Sequence, residues 1–124
     1  MDLQIDIELQ GSVLLVTASG SVALDEAVRL LMRAFDVAKE KEVNKIVVNT
    51  IAVNGALPTF ERYTLGVEVV TYLRQREMNP RVAFFGKPPT MDGFGVRVAQ
   101  NRNLTAEVFS SQDEALNWLA NWPD

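Results

Sequence analysis

The first ten residues, "MDLQIDIELQ", alternate between polar and apolar side chains. A period of two predicts a β-strand with one face in water. Gly11-Ser12 indicates a turn, and the apolar stretch "VLLVTA" at 13–18 predicts a second, more buried strand. We therefore expect an antiparallel hairpin whose first strand lies at or near the edge of a sheet.

Apolar residues in segment 24–41 recur every three or four positions, which predicts an amphipathic helix. Acidic residues near its start and lysines near its end suit the helix dipole. In the closing segment, Ser110 or Ser111 is expected to cap a last helix. The remaining predicted elements are strands at 45–50, 81–86 and 104–109 and helices at 59–77, 91–102 and 110–122.

These elements give the order β-β-α-β-α-β-α-β-α, which predicts an α/β fold. Strands separated by single helices are expected to lie parallel and to be joined by right-handed crossovers. The prediction is a five-stranded, mostly parallel sheet with four helices. A length of 124 residues without repeats or linkers suits a single domain over 1–124.

The composition excludes several kinds of chemistry. The chain has no cysteine and no histidine, so catalytic Ser-His-Asp and Cys-His sites are ruled out, as is a Cys/His zinc site. Carboxylates are scattered, and no Asp, Glu, Lys or Tyr cluster suggests an alternative active site. Twelve basic and 16 acidic residues give a net charge of −4 with no basic block, which argues against nucleic-acid binding. We expect a non-enzymatic protein without metal or cofactor.

The sequence also bears on location. No apolar run approaches the roughly 20 residues that span a bilayer. The acidic, alternating N-terminus does not resemble a signal peptide, and the lack of cysteine fits a reducing compartment. We expect a cytoplasmic protein with no transmembrane segment.

The segment "VNTIAVNGALPTFERYTLG" at 48–66 predicts a strand, a loop and the start of a helix. Such a loop leaves the carboxyl end of a parallel strand, where α/β proteins bind ligands and partners. Thr59 is predicted to be the N-cap of the helix. It could instead be a regulatory hydroxyl, because a phosphate there would meet the positive end of the helix dipole. Asn54-Gly55 indicates a turn.

Three polar residues near this loop are candidates for ligand contacts. Arg62 is unfavourable in the first turn of a helix, so it is either solvated, paired with a carboxylate or in contact with an anion. Lys87 and Thr90 lie in "FFGKPPTMDGFG" at 84–95, whose spacing fails both the Walker and the dinucleotide motifs. A proline-stiffened turn is expected there. If the two preceding strands are neighbours, both residues could help hold an anion beside the 49–62 loop.

The same loops are unusually apolar. An exposed apolar patch would favour docking of a protein, whereas a pocket of a few hundred cubic ångströms would favour a small-molecule or lipid carrier. The sequence leaves both open. The apolar residues concerned are Ile51, Val53, Leu57, Phe60 and Phe94.

The ending "AEVFSSQDEALNWL" at 106–119, with the element order and the length, resembles the STAS or SpoIIAA-like family. These are anti-sigma-factor-antagonist-type domains, related in fold to CRAL-TRIO (Sec14-like) domains. In the antagonist branch, the loop after the third strand carries an Asp-Ser pair whose serine is phosphorylated by a partner kinase. The matching region here, "NTIAVNGALPTFERY" at 49–63, has neither Ser nor Asp, and Thr59 is the hydroxyl nearest the helix start.

The resemblance implies a bacterial, non-enzymatic module that docks a protein or a small apolar or anionic ligand. Docking would use the 49–62 loop and the 86–95 loop. A homodimer is a further expectation, because exposed apolar surface must be covered and two-fold pairing is the commonest solution. The residues expected at the docking site are Asn54, Thr59, Phe60, Arg62, Lys87 and Thr90.

Overall fold

A computed structural model describes residues 2–123. Strands and helices follow each other in the predicted order, which confirms the α/β prediction. Within the described residues, no helix has both the length and the apolar composition needed to cross a membrane. The elements are β1 Gln4–Gln10, β2 Val13–Ser21, α1 Leu24–Glu40, β3 Lys45–Asn54, α2 Thr59–Gln75, β4 Arg81–Phe85, α3 Phe94–Gln100, β5 Thr105–Phe109 and α4 Gln112–Ala120.

The five strands form one sheet in the order β1-β2-β3-β4-β5. β1 pairs antiparallel with β2, and every other neighbouring pair is parallel. The predicted hairpin is therefore confirmed, with β1 at one edge. Its turn contains Gly11 at φ 62°, a conformation that glycine adopts without steric penalty.

β3 is longer than predicted. It continues to Asn54 instead of ending at residue 50, because β2 also extends and supplies pairing partners. Ala52 lies opposite Ser19 after an irregularity in the register. The predicted loop at 51–58 is therefore wrong in its first half, and the connection to α2 is only residues 55–58.

Helices cover the two faces of the sheet unequally. Helices α1, α2 and α3 pack on one face, where Phe35 is fully buried against Ile46 and Val82. Helix α4 packs on the other face through Leu119, which meets Val47. Because both faces of β3 are covered, this strand is a continuous apolar run instead of an alternating one.

The two edges of the sheet differ. The carbonyl of Phe109 faces β4, because it accepts a hydrogen bond from the N–H of Gly86, directly after β4. Backbone groups alternate in direction along a strand, so those of Ala106 and Val108 point away from the sheet. Side chains occupy both: Gln100 Nε2 donates to the Ala106 carbonyl at 2.6 Å, and Glu107 Oε1 accepts from the Val108 N–H at 3.2 Å. Side chains from α3 and β5 thus cover one carbonyl and one N–H of the β5 edge.

Candidate functional site

Two loops meet at the carboxyl ends of the parallel strands. Residues 55–58 connect β3 to α2, and residues 86–93 connect β4 to α3. Because β3 and β4 are neighbours in the sheet, both loops leave the same edge. We call residues 55–58 and 86–93 the paired loops.

Thr90 ties the paired loops together. Its hydroxyl donates to the carbonyl of Gly55 and lies 3.4 Å from the carbonyl of Val53. Gly55 has a φ of 88°, which suits glycine at this turn. The Thr90 hydroxyl, which the sequence suggested as an anion contact, therefore bonds backbone carbonyls at the end of β3 and in the loop that follows it.

Arg62 makes a second link between α2 and the 86–93 loop. Its Nη1 forms a salt bridge with Asp92 Oδ2, and its Nη2 donates to the Pro89 carbonyl at 3.0 Å. Asp92 Oδ1 also accepts from the Phe94 N–H at 3.0 Å, where α3 begins. Of the three alternatives for Arg62, the structure shows the pairing with a carboxylate.

This arginine is held in a largely buried position. Only 19% of its side chain is exposed, and its Nε is buried without a hydrogen-bond partner among the described residues. Asp92 was not singled out from the sequence. The Asp92-Gly93 pair is a turn signal, which could have located it.

Thr59 does not cap α2. The N-cap is Pro58, whose backbone is extended at φ −56° and ψ 156°, and no side chain caps the helix. Thr59 is the first helical residue and is exposed. The prediction of a threonine cap is therefore wrong: proline takes the cap position, so the Thr59 hydroxyl does not close the helix end.

Large apolar side chains are exposed at this end of the molecule. Phe60 is 76% exposed, Tyr63 42% and Ile51 44%. Phe60 and Tyr63 are three residues apart on α2 and so share a helix face. Asn54 and Lys87 are exposed as well. We call Phe60 and Tyr63 the aromatic pair.

An apolar cavity of about 140 Å³ lies beneath the paired loops, between the sheet and helices α1 to α3. Val53 and Leu57 line it, as predicted for an apolar pocket, whereas Ile51 and Phe94 lie outside its lining. Pockets for drug-sized ligands start at about 300 Å³. The cavity is therefore too small for a lipid chain.

A close helix crossing positions the loops. A Cβ on Gly66 of α2 would lie 2.8 Å from the Gly95 carbonyl of α3, so the two helices touch through their backbones. The sequence analysis predicts no helix contact for either glycine. The contact holds Arg62 within reach of Asp92.

No family model matches the sequence, and no curated protein matches it. Among solved structures, an anti-sigma factor antagonist from Mycobacterium paratuberculosis superposes with a TM-score of 0.66 at 14% identity, over 96% of this chain and 95% of the other. SpoIIAA in its unphosphorylated form superposes with a TM-score of 0.57 at 14% identity, over 98% and 100%. The chain has the SpoIIAA-like fold. The family resemblance seen in the sequence is thereby confirmed at the level of fold.

A third protein with a SpoIIAA-like fold, uncharacterised and from Shewanella loihica, superposes with a TM-score of 0.54 at 19% identity, over 94% and 93%. The match in each case extends over nearly the whole of both chains. At these identities the likeness concerns the SpoIIAA-like fold alone, so any argument about function depends on the residues of this chain.

Proposed function

We propose that this protein is a regulatory module that binds a partner protein through residues 49–62 and 86–95. The observation that carries the proposal is the exposure of the aromatic pair beside the paired loops. Two of the similar structures are anti-sigma factor antagonists, which supports a regulatory role. The proposal includes action in the cytoplasm without catalysis, in line with a chain that lacks histidine and cysteine.

The aromatic pair has the properties of an interface anchor. Aromatic side chains bring a large apolar area with few rotatable bonds and dominate many binding hot spots. Phe60 is 76% exposed, so a partner could bury most of its ring. The bonds of Thr90 and Arg62 hold the paired loops in place, which lowers the ordering cost of association.

Charges near the aromatic pair indicate the chemistry of the partner. Asp25, Glu61 and Glu68 line an open groove between the start of α1 and the N-terminal part of α2. Arg62 is neutralised by Asp92, so it adds little positive potential. Positive charge also borders the aromatic pair, because Arg102 donates to the Tyr63 hydroxyl at 3.1 Å and lies 5.4 Å from its ring centroid. A partner surface with an apolar centre and flanking charges of both signs would therefore complement this region.

Replacing one exposed aromatic residue tests this proposal. We expect Phe60→Ala to weaken capture of a specific partner from host lysate by at least about tenfold, since hot-spot truncations cost roughly 2 kcal/mol or more. Quantitative mass spectrometry of proteins retained on the immobilised chain would measure this. Leu9→Ala is the matched control, because Leu9 is 44% exposed and lies on β1 at the opposite end of the sheet. Equal retention by all three proteins would contradict docking at this surface.

Regulation through Thr59 is a separate part of the proposal. Its hydroxyl is exposed at the start of α2, where the helix dipole would favour a phosphate, although Glu61 in the same turn opposes it. Intact-mass measurement on protein purified from its own host should show one added phosphate on wild type and on Thr71→Ala, but none on Thr59→Ala. Thr71 is an exposed threonine of the same helix. An unmodified wild-type protein would contradict this regulation and leave the docking proposal standing.

A further inference from the structure

The docking proposal makes no use of the apolar cavity beneath the paired loops. Its volume is about 140 Å³, and its wall is formed mostly by aliphatic side chains from the sheet and from α1, α2 and α3. Three positions on this wall are buried alanines, Ala18, Ala27 and Ala99. Larger side chains at these positions would fill the space, so the void follows from the choice of residues.

The surrounding structure keeps the cavity open. The backbone contact between Gly66 and Gly95 fixes the distance between α2 and α3, so these helices cannot move together to close it. Thr90 bonds the carbonyl of Gly55 above it, which holds the paired loops as a roof. The cavity is therefore preformed, as ligand sites usually are.

Polar groups on the wall already have protein partners. The Thr50 hydroxyl donates to the Phe85 carbonyl at 3.1 Å, and Thr90 donates to Gly55. The Arg62 Nε has no partner, but it has less than 1 Å² of accessible surface, so a ligand cannot reach it. A water molecule needs two to four polar partners and would find too few here.

We propose that this cavity binds a small, uncharged, apolar molecule about the size of one aromatic ring. A dry cavity of about 150 Å³ lined by aliphatic and aromatic side chains is known to take up benzene. The volume here is nearly the same, and most of the wall is apolar. The two charged residues that line it, Arg62 and Asp92, are paired with each other. The inference requires no partner protein, although the cavity shares residues such as Leu57 and Thr90 with the segments proposed for docking.

Titration of the full chain with toluene and with phenol, followed by methyl NMR, tests the proposal. Toluene should give saturable shifts at Val48 and Leu65, which line the cavity, and none at Leu119 on the other face of the sheet. Phenol has the same shape but carries a hydroxyl that would lose its hydrogen bonds, so we expect it to bind about tenfold more weakly. Phenol binding as tightly as toluene would overturn the assignment of an apolar ligand.

Variants that fill the cavity with a larger side chain provide a second test of the proposed binding site. Ala99→Leu should abolish the toluene shifts, whereas Ala120→Leu, at an exposed position on α4, should leave them unchanged. If Ala99→Leu does not fold, Ala27→Leu fills the same space from α1 and should have the same effect. A folded wild type without saturable shifts, or unchanged binding in a folded filled variant, would overturn the proposal.

Discussion

Arg62 connects two parts of the chain that are 30 residues apart in sequence. A guanidinium can bond Asp92 and the Pro89 carbonyl at once because its N–H groups fan out in one plane, which a lysine ammonium cannot imitate. Since the side chain is largely buried, this pair is less screened by salt than a surface pair. Arg62 thus acts together with Thr90 to set the position of the 86–93 loop.

Tyr72 is the described residue whose pKa is clearly displaced. Its hydroxyl donates to Asp36 Oδ1 at 2.5 Å, and this hydrogen bond, followed by desolvation and the charge of Asp36, raises the pKa above the usual 10.0. Arg76, whose guanidinium lies 3.4 Å from the ring centroid, acts in the opposite direction. The folded chain therefore keeps the phenol proton to a higher pH than the unfolded chain does.

This pKa shift has a defined effect on stability. The contribution of the Tyr72 hydroxyl should be fully present below pH 10.0 and should be lost as the pH rises through the raised folded value. Urea unfolding of wild type and Tyr72→Phe would show a constant difference in free energy from pH 7 to about pH 9 and a smaller one above pH 10. In an Asp36→Asn background the pH dependence of this difference should become weaker, because the carboxylate that accepts the hydrogen bond and its charge are both removed. A difference that grows above pH 10 would contradict the assignment.

Helices α2 and α3 depend on one close backbone contact. In an isolated helix, changing glycine to alanine adds about 1 kcal/mol of stability. At Gly66 the new Cβ would lie 2.8 Å from the Gly95 carbonyl and 2.9 Å from Val98, whereas at Gly95 the nearest atom, the Arg62 carbonyl, is 3.4 Å away. The two glycines of one contact therefore respond in opposite ways.

We expect Gly66→Ala to lower the free energy of unfolding by about 1–3 kcal/mol, because overpacking outweighs helix propensity. Gly95→Ala, the matched control, should be neutral or stabilising by up to about 1 kcal/mol. Chemical denaturation monitored by circular dichroism measures both. If Gly66→Ala were the more stable of the two variants, the helices would not be in backbone contact.

Sequence patterns located elements better than their ends. Helix α1 was predicted at 24–41 and spans Leu24–Glu40, because its apolar stripe is complete in itself. The end of β3 was missed because "IAVN" forms a strand only through its pairing with β2. The bond from Thr90 to Gly55 and the pair of Arg62 with Asp92 join segments that are brought together only by the order of the strands in the sheet. The cavity depends on the combined volumes of side chains from several elements. Neither the two contacts nor the cavity can be predicted from a short stretch of sequence.

The whole molecule presents two unlike edges. β5 is partly covered by Gln100 and Glu107, whereas β1 carries the exposed charges of Asp6 and Glu8. Like charges facing each other across two copies of β1 would oppose strand pairing, which is a common way to protect an edge. A homodimer, if it forms, is thus expected to use a surface other than β1.

Removing these charges should open the β1 edge. We expect the double variant Asp6→Thr with Glu8→Thr to dimerise at micromolar concentrations at which wild type does not form this contact, because threonine favours strands and the repulsion is gone. Sedimentation velocity would measure the change. Glu40→Gln with Glu68→Gln, an equal change in net charge at exposed helix positions, should leave the sedimentation profile unaltered. An unchanged profile in the β1 variant would show that charge does not protect this edge.

The partly covered β5 edge limits how far such an association could go. A filament of stacked sheets requires every subunit to offer one edge and to accept another, so growth needs two open sides. Gln100 and Glu107 already occupy two of the outward backbone groups on the β5 side with bonds inside the chain. If the charges on β1 were lost, pairing through β1 would therefore favour a closed pair of two copies over a fibre.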